Sequence, residues 1–350
     1  MTPPRTAPAT ARPVRRRPTW PAVLAALYAA ATVAALVAWT VAGDAAWIQP
    51  VNLSTFWWSL PGVVLAPLAL LLGGRRTAAL LAVPAVLWLW SYGTAFLPDG
   101  TPDVAADLRV VSFNTYVRTP DAGHVLELVE ETDPDVLVLQ EVFPPRETEL
   151  DAALAAVLPH RHVVQSPGVG GVAVYARFPI AEVRPIGDAS ERSRSTAVVV
   201  LDVDGRPLQV VPVHLISPCP TCGTSFLERL DLEGEVRVAE MGSIVAALDP
   251  DVPAIVAGDL NSTDRSMPYR RLAGAGFTDP QRDAGHGPGF TWPADDGPGA
   301  FLRIDWMLVR DLRAVEAWVG PARGSDHRPV IADLAFTVGP DRPDDVAPEG

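Results

Sequence analysis

Three long apolar stretches open this 350-residue chain and limit what it can fold into. They run from Trp20 to Gly43, from Leu53 to Leu72 and from Thr77 to Leu97, and none contains a charged side chain. Each has the roughly 20 residues that a helix needs to cross a bilayer. A cleaved signal peptide would account for the first stretch and buried core helices for the others. A signal peptide has a shorter apolar core, however, and two more such segments would not follow it. We therefore predict three transmembrane helices within residues 20–97.

Arginines give these helices a predicted orientation. Arg15–Arg17 precede the first stretch, Arg75 and Arg76 separate the second from the third, and the loop between the first two holds only Asp44. Positively charged loops stay in the cytoplasm. The sequence thus predicts a multi-pass plasma-membrane protein with a cytoplasmic amino terminus. Everything after Leu97 is expected to be extracytoplasmic.

The rest of the chain divides by composition. Residues 1–19 are rich in proline, threonine, alanine and arginine, which predicts a disordered basic arm. We interpret this arm as a topology signal rather than a nucleic-acid-binding segment. Residues 98–106 are predicted to be a linker, 107–338 a globular domain and 339–350 a disordered tail.

Within the globular region, short apolar runs alternate with segments of helical spacing. Helices are predicted at Gly123–Glu131, Glu147–Val157 and Phe226–Leu248, the last interrupted near Gly234. Strands are predicted at Leu108–Phe113, Val136–Leu139, Gly171–Tyr175, Ile180–Val183, Ala197–Val203, Leu208–His214, Ala254–Ala257, Ile304–Val309, Ala314–Val319 and Val330–Phe336. Strands mixed with helices in this way predict an α/β fold, in which helices cover two packed sheets as an α/β sandwich.

The run Val-Ala-Gly-Asp-Leu-Asn is the first candidate for chemistry. Asp259 and Asn261 follow the apolar strand Ala254–Ala257 and lie two residues apart, so an extended backbone would send both side chains to the same face. A carboxylate there can orient a water molecule, and a carboxamide can hold an oxyanion. A capped turn is the alternative interpretation, because glycine, aspartate and asparagine are common turn residues.

Similar polar residues end the other predicted strands. The set consists of Asn114, Glu141, His214, Asp259, Asn261, Asp305, Asp326 and His327. Each has a structural explanation when it is taken alone: Glu141 as a solvated loop acid, His214 as a strand histidine, Asp305 as a partner for Arg303. Their joint occurrence at strand ends predicts a functional site assembled from several strands.

The sequence blocks around these residues resemble a known superfamily. In chain order they are Ser-Phe-Asn114, Leu-Gln-Glu141, Pro-Val-His214-Leu, Gly-Asp259-Leu-Asn261, Arg-Ile-Asp305 and Ser-Asp326-His327. Their order and approximate spacing resemble the endonuclease/exonuclease/phosphatase superfamily, which has the deoxyribonuclease I-like fold. The segment Gly289–Trp292 is also similar to that superfamily, and the resemblance extends from about Leu108 to Thr337.

This resemblance implies metal-dependent hydrolysis of a phosphoric ester. Cleaving such an ester places negative charge on the phosphoryl oxygens and on the leaving oxygen. A hard divalent cation held by oxygen ligands stabilises that charge. The resemblance implies that Glu141, with Asn114 and Asp326 beside it, holds Mg²⁺, with Mn²⁺ or Ca²⁺ as alternatives.

The resemblance also implies catalytic roles for the remaining residues. Asp259 would orient or deprotonate the attacking water, and Asn261 would hydrogen-bond the water or a phosphoryl oxygen. His327, oriented by Asp305, would contact the phosphate as an imidazolium. His214 matches a position that protonates the leaving group in some members and contacts phosphate in others. No acidic partner for His214 is identifiable in the sequence.

Cys219 and Cys222 form the only cysteine pair, in Cys-Pro-Thr-Cys just after the strand that ends at His214. A redox-active pair would need a thioredoxin-like setting, which the sequence lacks. Outside the cytoplasm, a short structural disulfide is the expected state.

The net charge of the chain helps to choose between classes of substrate. Seven of the 28 basic residues and one of the 41 acidic residues precede Thr77, which leaves the rest of the chain with a net charge of about −19. A nonspecific nucleic-acid-binding protein normally has the opposite sign.

The membrane helices and this acidity favour a substrate in the bilayer, such as a lipid phosphate, a lipid pyrophosphate or a phospholipid headgroup. The layout also resembles membrane-bound members linked to glycopeptide resistance, which implies a role on cell-wall lipid carriers. An extracellular Mg²⁺-dependent nuclease and an inactive envelope binding module remain alternatives. No protein partner is identifiable.

Overall fold

The computed structural model describes residues 20–97, 104–118, 122–166, 170–187, 193–217, 226–294 and 299–337, with only the backbone for 226–233. The predicted basic arm and tail lie outside these ranges, as do Cys219 and Cys222 with their predicted disulfide.

The amino-terminal region contains two long apolar helices and three short ones between them. Helix α1 spans Trp20–Val41, α2 Gln49–Leu53, α3 Thr55–Ser59, α4 Pro61–Leu71 and α5 Arg75–Tyr92. A single 3₁₀ turn, Gly93–Phe96, extends α5. The segments Trp20–Val41 and Arg75–Phe96 have the length and the apolar composition needed to cross a membrane, whereas the apolar segment Thr55–Leu71 is shorter.

The second predicted span is therefore not one long helix. Helix α3 ends at Ser59 and α4 begins at Pro61, inside the stretch where the sequence predicted continuous helix. Proline has no N–H to donate, and its ring crowds the carbonyl four residues earlier, so it is favoured at the start of a helix. Pro61 thus divides the stretch into two short helices.

Large apolar side chains are exposed mainly on these helices. Within the described part of the chain, 20 of the 24 exposed large apolar residues lie in residues 20–97. An apolar surface of this extent indicates contact with lipid or with another protein.

Helix α4 packs closely against α5 at Gly62. A Cβ atom on Gly62 would lie 2.6 Å from the backbone nitrogen of Ala85 and 2.9 Å from Cγ of Pro84. Helix α1 packs on α5 as well. The three helices form one bundle that depends on a residue without a side chain at this contact.

Two β-sheets form the core of the remaining described residues. The strands are β1 Leu108–Asn114, β2 Val136–Val142, β3 His160–Val164, β4 Gly171–Ala176, β5 Ile180–Ile186, β6 Thr196–Val203, β7 Arg206–His214, β8 Ala254–Asp259, β9 Asp305–Arg310, β10 Leu312–Val319 and β11 Val330–Phe336. The first sheet has the order β10-β11-β1-β2-β4-β3 and the second β5-β6-β7-β8-β9. Fully buried aliphatic residues such as Val138, Leu201 and Ile255 fill the space between the sheets. The predicted α/β sandwich is confirmed.

Helices cover the outer faces of both sheets. Helices α6 (Gly123–Thr132) and α7 (Pro144–Leu154) pack on the first sheet, and α8 (Phe226–Ala247) and α9 (Met267–Gly274) on the second. A short helix, α10 (Pro280–Ala284), completes the set. Strand β3 and helices α9 and α10 were not predicted.

Helix α8 runs continuously through Gly234, so the predicted interruption there is wrong. A Cβ atom on Gly234 would lie 2.5 Å from Nε2 of Gln49 and 2.8 Å from the carbonyl oxygen of Asp44. The glycine accommodates the close approach of the segment after α1, because an α-helix tolerates glycine at a modest cost.

The strand register brings the predicted functional residues to one edge of the sandwich. Strands β7 and β8 are parallel and pair His214 with Asp259, while the antiparallel β9 pairs Asp259 with Asp305. In the other sheet, the parallel strands β1 and β2 pair Asn114 with Gln140, the neighbour of Glu141. The carboxyl ends of four strands and the start of a fifth therefore meet.

A single methyl group at Gly62 should disturb the helical bundle. We expect Gly62→Ala to lower the free energy of unfolding by about 1 to 3 kcal/mol, because the new Cβ overlaps backbone atoms of α5. Thermal melting of the full chain in detergent checks this. Gly93→Ala is the control, since its Cβ would meet nothing closer than 3.7 Å. Equal melting temperatures for the two variants would contradict the packing described.

Candidate active site

Asp259 lies at the centre of the residues that the strand ends bring together. Its side chain is only 2% exposed. The amide nitrogen of Asn114 lies 3.3 Å from a carboxylate oxygen of Asp259 and 3.3 Å from one of Glu141. Nε2 of His214 lies 3.7 Å from Asp259 and 3.8 Å from Glu141. Four predicted residues from both sheets thus share one small volume.

A strained turn holds the Asp259 carboxylate. The backbone N–H of Asn261 donates to Oδ1 of Asp259 at 2.7 Å, and the Asn261 amide donates to Oδ2 at 3.1 Å and to the carbonyl of Leu215 at 3.0 Å. Asn261 has φ +47°. Gly258 has φ +145°, and a Cβ there would lie 1.8 Å from the carbonyl oxygen of Val213, so only glycine fits. Residues 258–261 therefore form a capped turn, as the alternative interpretation of the sequence expected. This turn presents the side chains of both Asp259 and Asn261.

His327 and Asp305 form a buried pair. Nδ1 of His327 lies 2.8 Å from Oδ2 of Asp305. The other ring nitrogen, Nε2, lies 3.9 Å from oxygens of both Asp259 and Asp326. Arg303 pairs instead with Asp279 at 2.6 Å. Asp305 is thus the partner of His327 and not of Arg303.

Burial and neighbouring charges raise the pKa values of both Asp259 and His327. Burial, together with the charge of Asp305, raises the pKa of Asp259 to about 7. Burial alone would disfavour the charged form of His327, but Asp305, Asp259 and Asp326 outweigh it and raise the pKa of His327 to about 10. His327 is therefore an imidazolium at neutral pH, suited to hold an anionic group.

His214 differs from His327 in charge. Burial, with the charges of Arg194 and His327, lowers the pKa of His214 well below its usual value, so the ring is neutral at pH 7. Among the residues that the structure describes, none hydrogen-bonds to Nδ1 of His214. The acidic partner that the sequence did not reveal is also missing from the described part of the fold. A neutral ring whose Nδ1 has no carboxylate partner favours contact with the substrate over protonation of a leaving group.

Glu141 is held in an unusual backbone conformation at the end of β2. Its φ is +59°, a region that residues other than glycine seldom adopt. Its Oε2 accepts a 2.6 Å hydrogen bond from the backbone of Val117. The buried guanidinium of Arg146 donates to the carbonyl of Glu141 and to the hydroxyl of Thr115. Such strain at a polar residue is typical of functional sites.

The donor set fits a hard divalent cation. Oδ1 of Asp326 is buried and lacks a hydrogen-bond partner in the described structure, and Glu141 supplies a second carboxylate. Ligand-type atoms of Asp259, Asp305 and His327 also lie within 4.8 Å of one another. Hard cations prefer oxygen to nitrogen ligands, however, and Nδ1 of His327 is already hydrogen-bonded to Asp305. The carboxylate oxygens are therefore the better ligands.

Asn114 occupies a bridging position in this set. Its amide nitrogen faces the carboxylates of Glu141 and Asp259, while its Oδ1 accepts a hydrogen bond from the backbone of Tyr116 at 3.1 Å. The side chain is fully buried. In this arrangement Asn114 holds two carboxylates in place, and a role as a metal ligand stays a prediction.

Two charged residues at the site were not predicted. Arg194 lies just before β6, with carboxylates of Asp259, Glu141 and Glu240 acting on its buried guanidinium. Its backbone N–H donates to Glu240 on α8 at 2.5 Å, and burial raises the pKa of Glu240 to about 7. Because β6 runs antiparallel to β7, the start of β6 lies at the edge where β7 ends. A search of strand starts as well as strand ends could have found Arg194.

The same edge of the sandwich touches the amino-terminal helices. The hydroxyl of Thr263, two residues after Asn261, donates to the carbonyl of Asn52 at 3.0 Å. The indole of Trp57 donates to the carbonyl of Phe301 at 2.8 Å.

Comparison with known families agrees with this geometry. The sequence model described as "Endonuclease/Exonuclease/phosphatase family" matches residues 111–327, more than half of the chain. The chain belongs to the endonuclease/exonuclease/phosphatase family. Its members are typically metal-dependent hydrolases that include nucleases, phosphatases and phosphodiesterases. A comparison with curated proteins gave no match.

Solved structures with the family fold resemble the sandwich. An endonuclease/exonuclease/phosphatase from Beutenbergia cavernae is 21% identical with a TM-score of 0.51, covering 67% of this chain and 73% of its own. An AP endonuclease from Archaeoglobus fulgidus is 18% identical with a TM-score of 0.51, covering 66% and 100%. A humanized D. rerio TDP2 is 19% identical with a TM-score of 0.53, covering 65% and 99%. Identities this low show the fold alone.

The His327 pair should make stability depend on pH. The folded chain raises the pKa of His327 from 6.5 to about 10, so this stabilisation is complete below pH 6.5 and is lost as the pH rises through about 10. With EDTA present, we expect His327→Gln to lower the free energy of unfolding by about 3 to 5 kcal/mol at pH 6, because Asp305 is left buried without its partner. At pH 10.5 the same substitution should lower the free energy of unfolding by much less.

Melting curves of the full chain between pH 6 and pH 10.5 check this. His286→Gln, which replaces another histidine at an exposed position, is the matched control. A loss of equal size at both ends of the pH range for His327→Gln would contradict the assigned pair.

Proposed function

We propose that this chain is a membrane-anchored, divalent-metal-dependent hydrolase of lipid-linked phosphoric esters. The substrate class comprises a lipid phosphate, a lipid pyrophosphate or a phospholipid headgroup diester. The observation that carries the proposal is the contact between the apolar helices and the edge of the sandwich that holds Asp259 and His327. A cleft beside a bilayer is within reach of a phosphate at headgroup depth.

The placement of contacts along the helices supports three membrane crossings. Trp39, near the end of α1, and Tyr92, at the end of α5, both lie against Arg265 of the domain, at 4.9 and 5.7 Å from the ring centres. Because α1 and α5 pack together with these ends on one side, the chain must return between them. The segment Thr55–Leu71 supplies about 25 Å of helix for that return, close to the thickness of the hydrocarbon core.

Charge supports an extracytoplasmic domain. Arg75 and Arg76 lie at the start of α5, at the opposite end of that helix from the domain contacts made by Tyr92. Positively charged loops favour the cytoplasm, which supports placing the domain on the other side of the membrane. The acidic charge of the domain favours lipid phosphates over nucleic acid, whose binding depends largely on basic residues.

Each residue of the site has its own proposed role in the reaction. Glu141 and Asp326, with Asn114 beside them, would hold the cation, which supplies charge stabilisation to the phosphoryl oxygens when bound. Asp259 accepts a proton from the attacking water, and Asn261 fixes the orientation of Asp259. The imidazolium of His327 and the guanidinium of Arg194 stabilise negative charge on the phosphoryl group, while neutral His214 contacts an oxygen of the substrate.

Hydrolysis of a substrate panel tests the proposal. The full chain in detergent is given lipid phosphates, lipid pyrophosphates, phospholipids, oligonucleotides and plasmid DNA, each with Mg²⁺, Mn²⁺ or Ca²⁺ and with EDTA. We expect metal-dependent turnover of at least one lipid class that exceeds turnover of DNA and is absent in Asp259→Ala. Preferential cleavage of DNA would establish the nuclease alternative, and no hydrolysis with any metal would establish the inactive binding module.

Variants of Glu141 and His327 should separate metal binding from turnover. We expect Glu141→Gln to raise the Mg²⁺ concentration for half-maximal activity about tenfold or more. His327→Ala should lower kcat about 100-fold while the Mg²⁺ dependence stays the same. Mg²⁺ titrations of activity measure both effects, with Glu130→Gln on the exposed face of α6 as the matched control. An unchanged Mg²⁺ dependence in Glu141→Gln would contradict its role as a ligand.

A further inference from the structure

The loop after Asn261 is attached to the amino-terminal region through four residues, Thr263, Asp264, Arg265 and Met267. We call residues 260–267, which connect β8 to α9, the docking loop, and residues 42–54, which follow α1, the anchor segment. Thr263 of the docking loop donates to the carbonyl of Asn52 at 3.0 Å in a fully buried contact. The hydroxyl of Tyr92 lies 3.4 Å from Oδ1 of Asp264. Arg265 lies over the rings of Trp39 and Tyr92.

Asp44 completes this attachment at the end of the docking loop. Its Oδ1 accepts a 2.9 Å hydrogen bond from the backbone N–H of Met267, the first residue of α9. Arg237 and Arg270 act on its charge, and Arg270 also donates to the carbonyl of Trp39 at 2.7 Å. Asp44 was noted in the sequence only as the one charge between two apolar stretches. In the fold it is 9% exposed and binds the amino terminus of a domain helix.

A second branch connects the anchor segment to the loop after His214. The buried guanidinium of Arg237 on α8 donates to the side chain of Gln49 at 2.9 Å and to the carbonyl of Ile216 at 3.1 Å. Gln49 in turn donates to the carbonyl of Asp44 at 2.7 Å. Gly234, which lies one turn before Arg237, allows this close approach of α8.

The two branches meet at the catalytic carboxylate. The docking loop begins next to Asp259, and the Asn261 amide bridges Asp259 Oδ2 and the carbonyl of Leu215. Leu215 lies between His214 and Ile216. Displacement of either loop would therefore change the orientation of Asn261, and with it the Asp259 carboxylate. Misplacement of a reacting group by about 1 Å can cost about 100-fold in rate.

We infer that the anchor segment is a positioning element of the active site, acting through Asp44 on the loop that carries Asn261 and through Gln49 on the loop that follows His214. The anchor segment then does more than tether the domain to the membrane. It fixes the positions of the two loops that follow Asp259 and His214. This inference rests on the proposed function for its kinetic consequence. The attachment of the docking loop to the amino-terminal region depends only on the contacts described above, and not on the proposed function.

Substitutions at Asp44 test the inference in the full chain in detergent. Asp44→Ala removes the acceptor for Met267, whereas Asp44→Asn keeps an oxygen at that position. One readout is hydrogen–deuterium exchange of peptides from the docking loop, with peptides from β1 and β6 as the internal reference. The other is kcat and KM for the small soluble diester bis(p-nitrophenyl) phosphate, which needs no lipid recognition.

We expect Asp44→Ala to speed exchange in the docking loop about tenfold while β1 and β6 stay unchanged. It should lower kcat about 10- to 100-fold with KM within about twofold, and Asp44→Asn should restore most of both. Unchanged exchange and kcat in Asp44→Ala would overturn the inference, and so would faster exchange throughout β1 and β6, which indicates general unfolding.

The same data separate this inference from the proposed function. A wild-type chain that hydrolyses no phosphate ester, but whose docking loop alone is loosened by Asp44→Ala, would refute the hydrolase and retain the docking. A wild-type chain that hydrolyses the diester with kcat unaffected by Asp44→Ala would refute the positioning role and retain the hydrolase.

Discussion

The fold depends on keeping several charged groups buried at one edge of a sandwich. An isolated charge in such a place is costly, so each must have a partner or a ligand. Asp305 and His327 satisfy each other at 2.8 Å, and the backbone and side chain of Asn261 satisfy Asp259. The remaining carboxylates, those of Glu141 and Asp326, are less buried, and Oδ1 of Asp326 has no hydrogen-bond partner in the described structure, so this pair suits a cation. The hydrogen-bonded groups Asp259, Asn261, Asp305 and His327 are thus distinct from the two carboxylates that remain for a cation.

Much of this could be predicted from the sequence because the signals are local. Mostly apolar segments of six to nine residues ending in Asn114, His214 or Asp259 mark buried strands and the points where they leave the core. Parallel pairing then brings those ends together, as the register of His214 with Asp259 confirms. The half-buried strand His160–Val164, with the sequence His-Arg-His-Val-Val, lacks such a signal, because it lies at an edge of its sheet and has little apolar periodicity.

Features that depend on long-range packing could not be predicted. Arg194 and Glu240 reach the site from the start of a strand and the middle of a helix, and neither position has a sequence signal of its own. Gly234 looked like a helix interruption but marks a contact with a segment nearly 190 positions earlier. Apolar composition likewise predicted three long helices, whereas Pro61 divides the second of them. The contacts of Asp44 belong to the same class, since an acid between two apolar stretches carries no information about its partner.

We propose that these strand ends form one cleft that binds a divalent cation through Glu141 and Asp326. Anomalous diffraction from crystals of the full chain grown with Mn²⁺ tests it most directly. We expect one strong anomalous peak between those two carboxylates, next to Asp259, and its loss in Glu141→Gln crystals. A map with no peak there, or with the ion bound elsewhere on the domain, would contradict it.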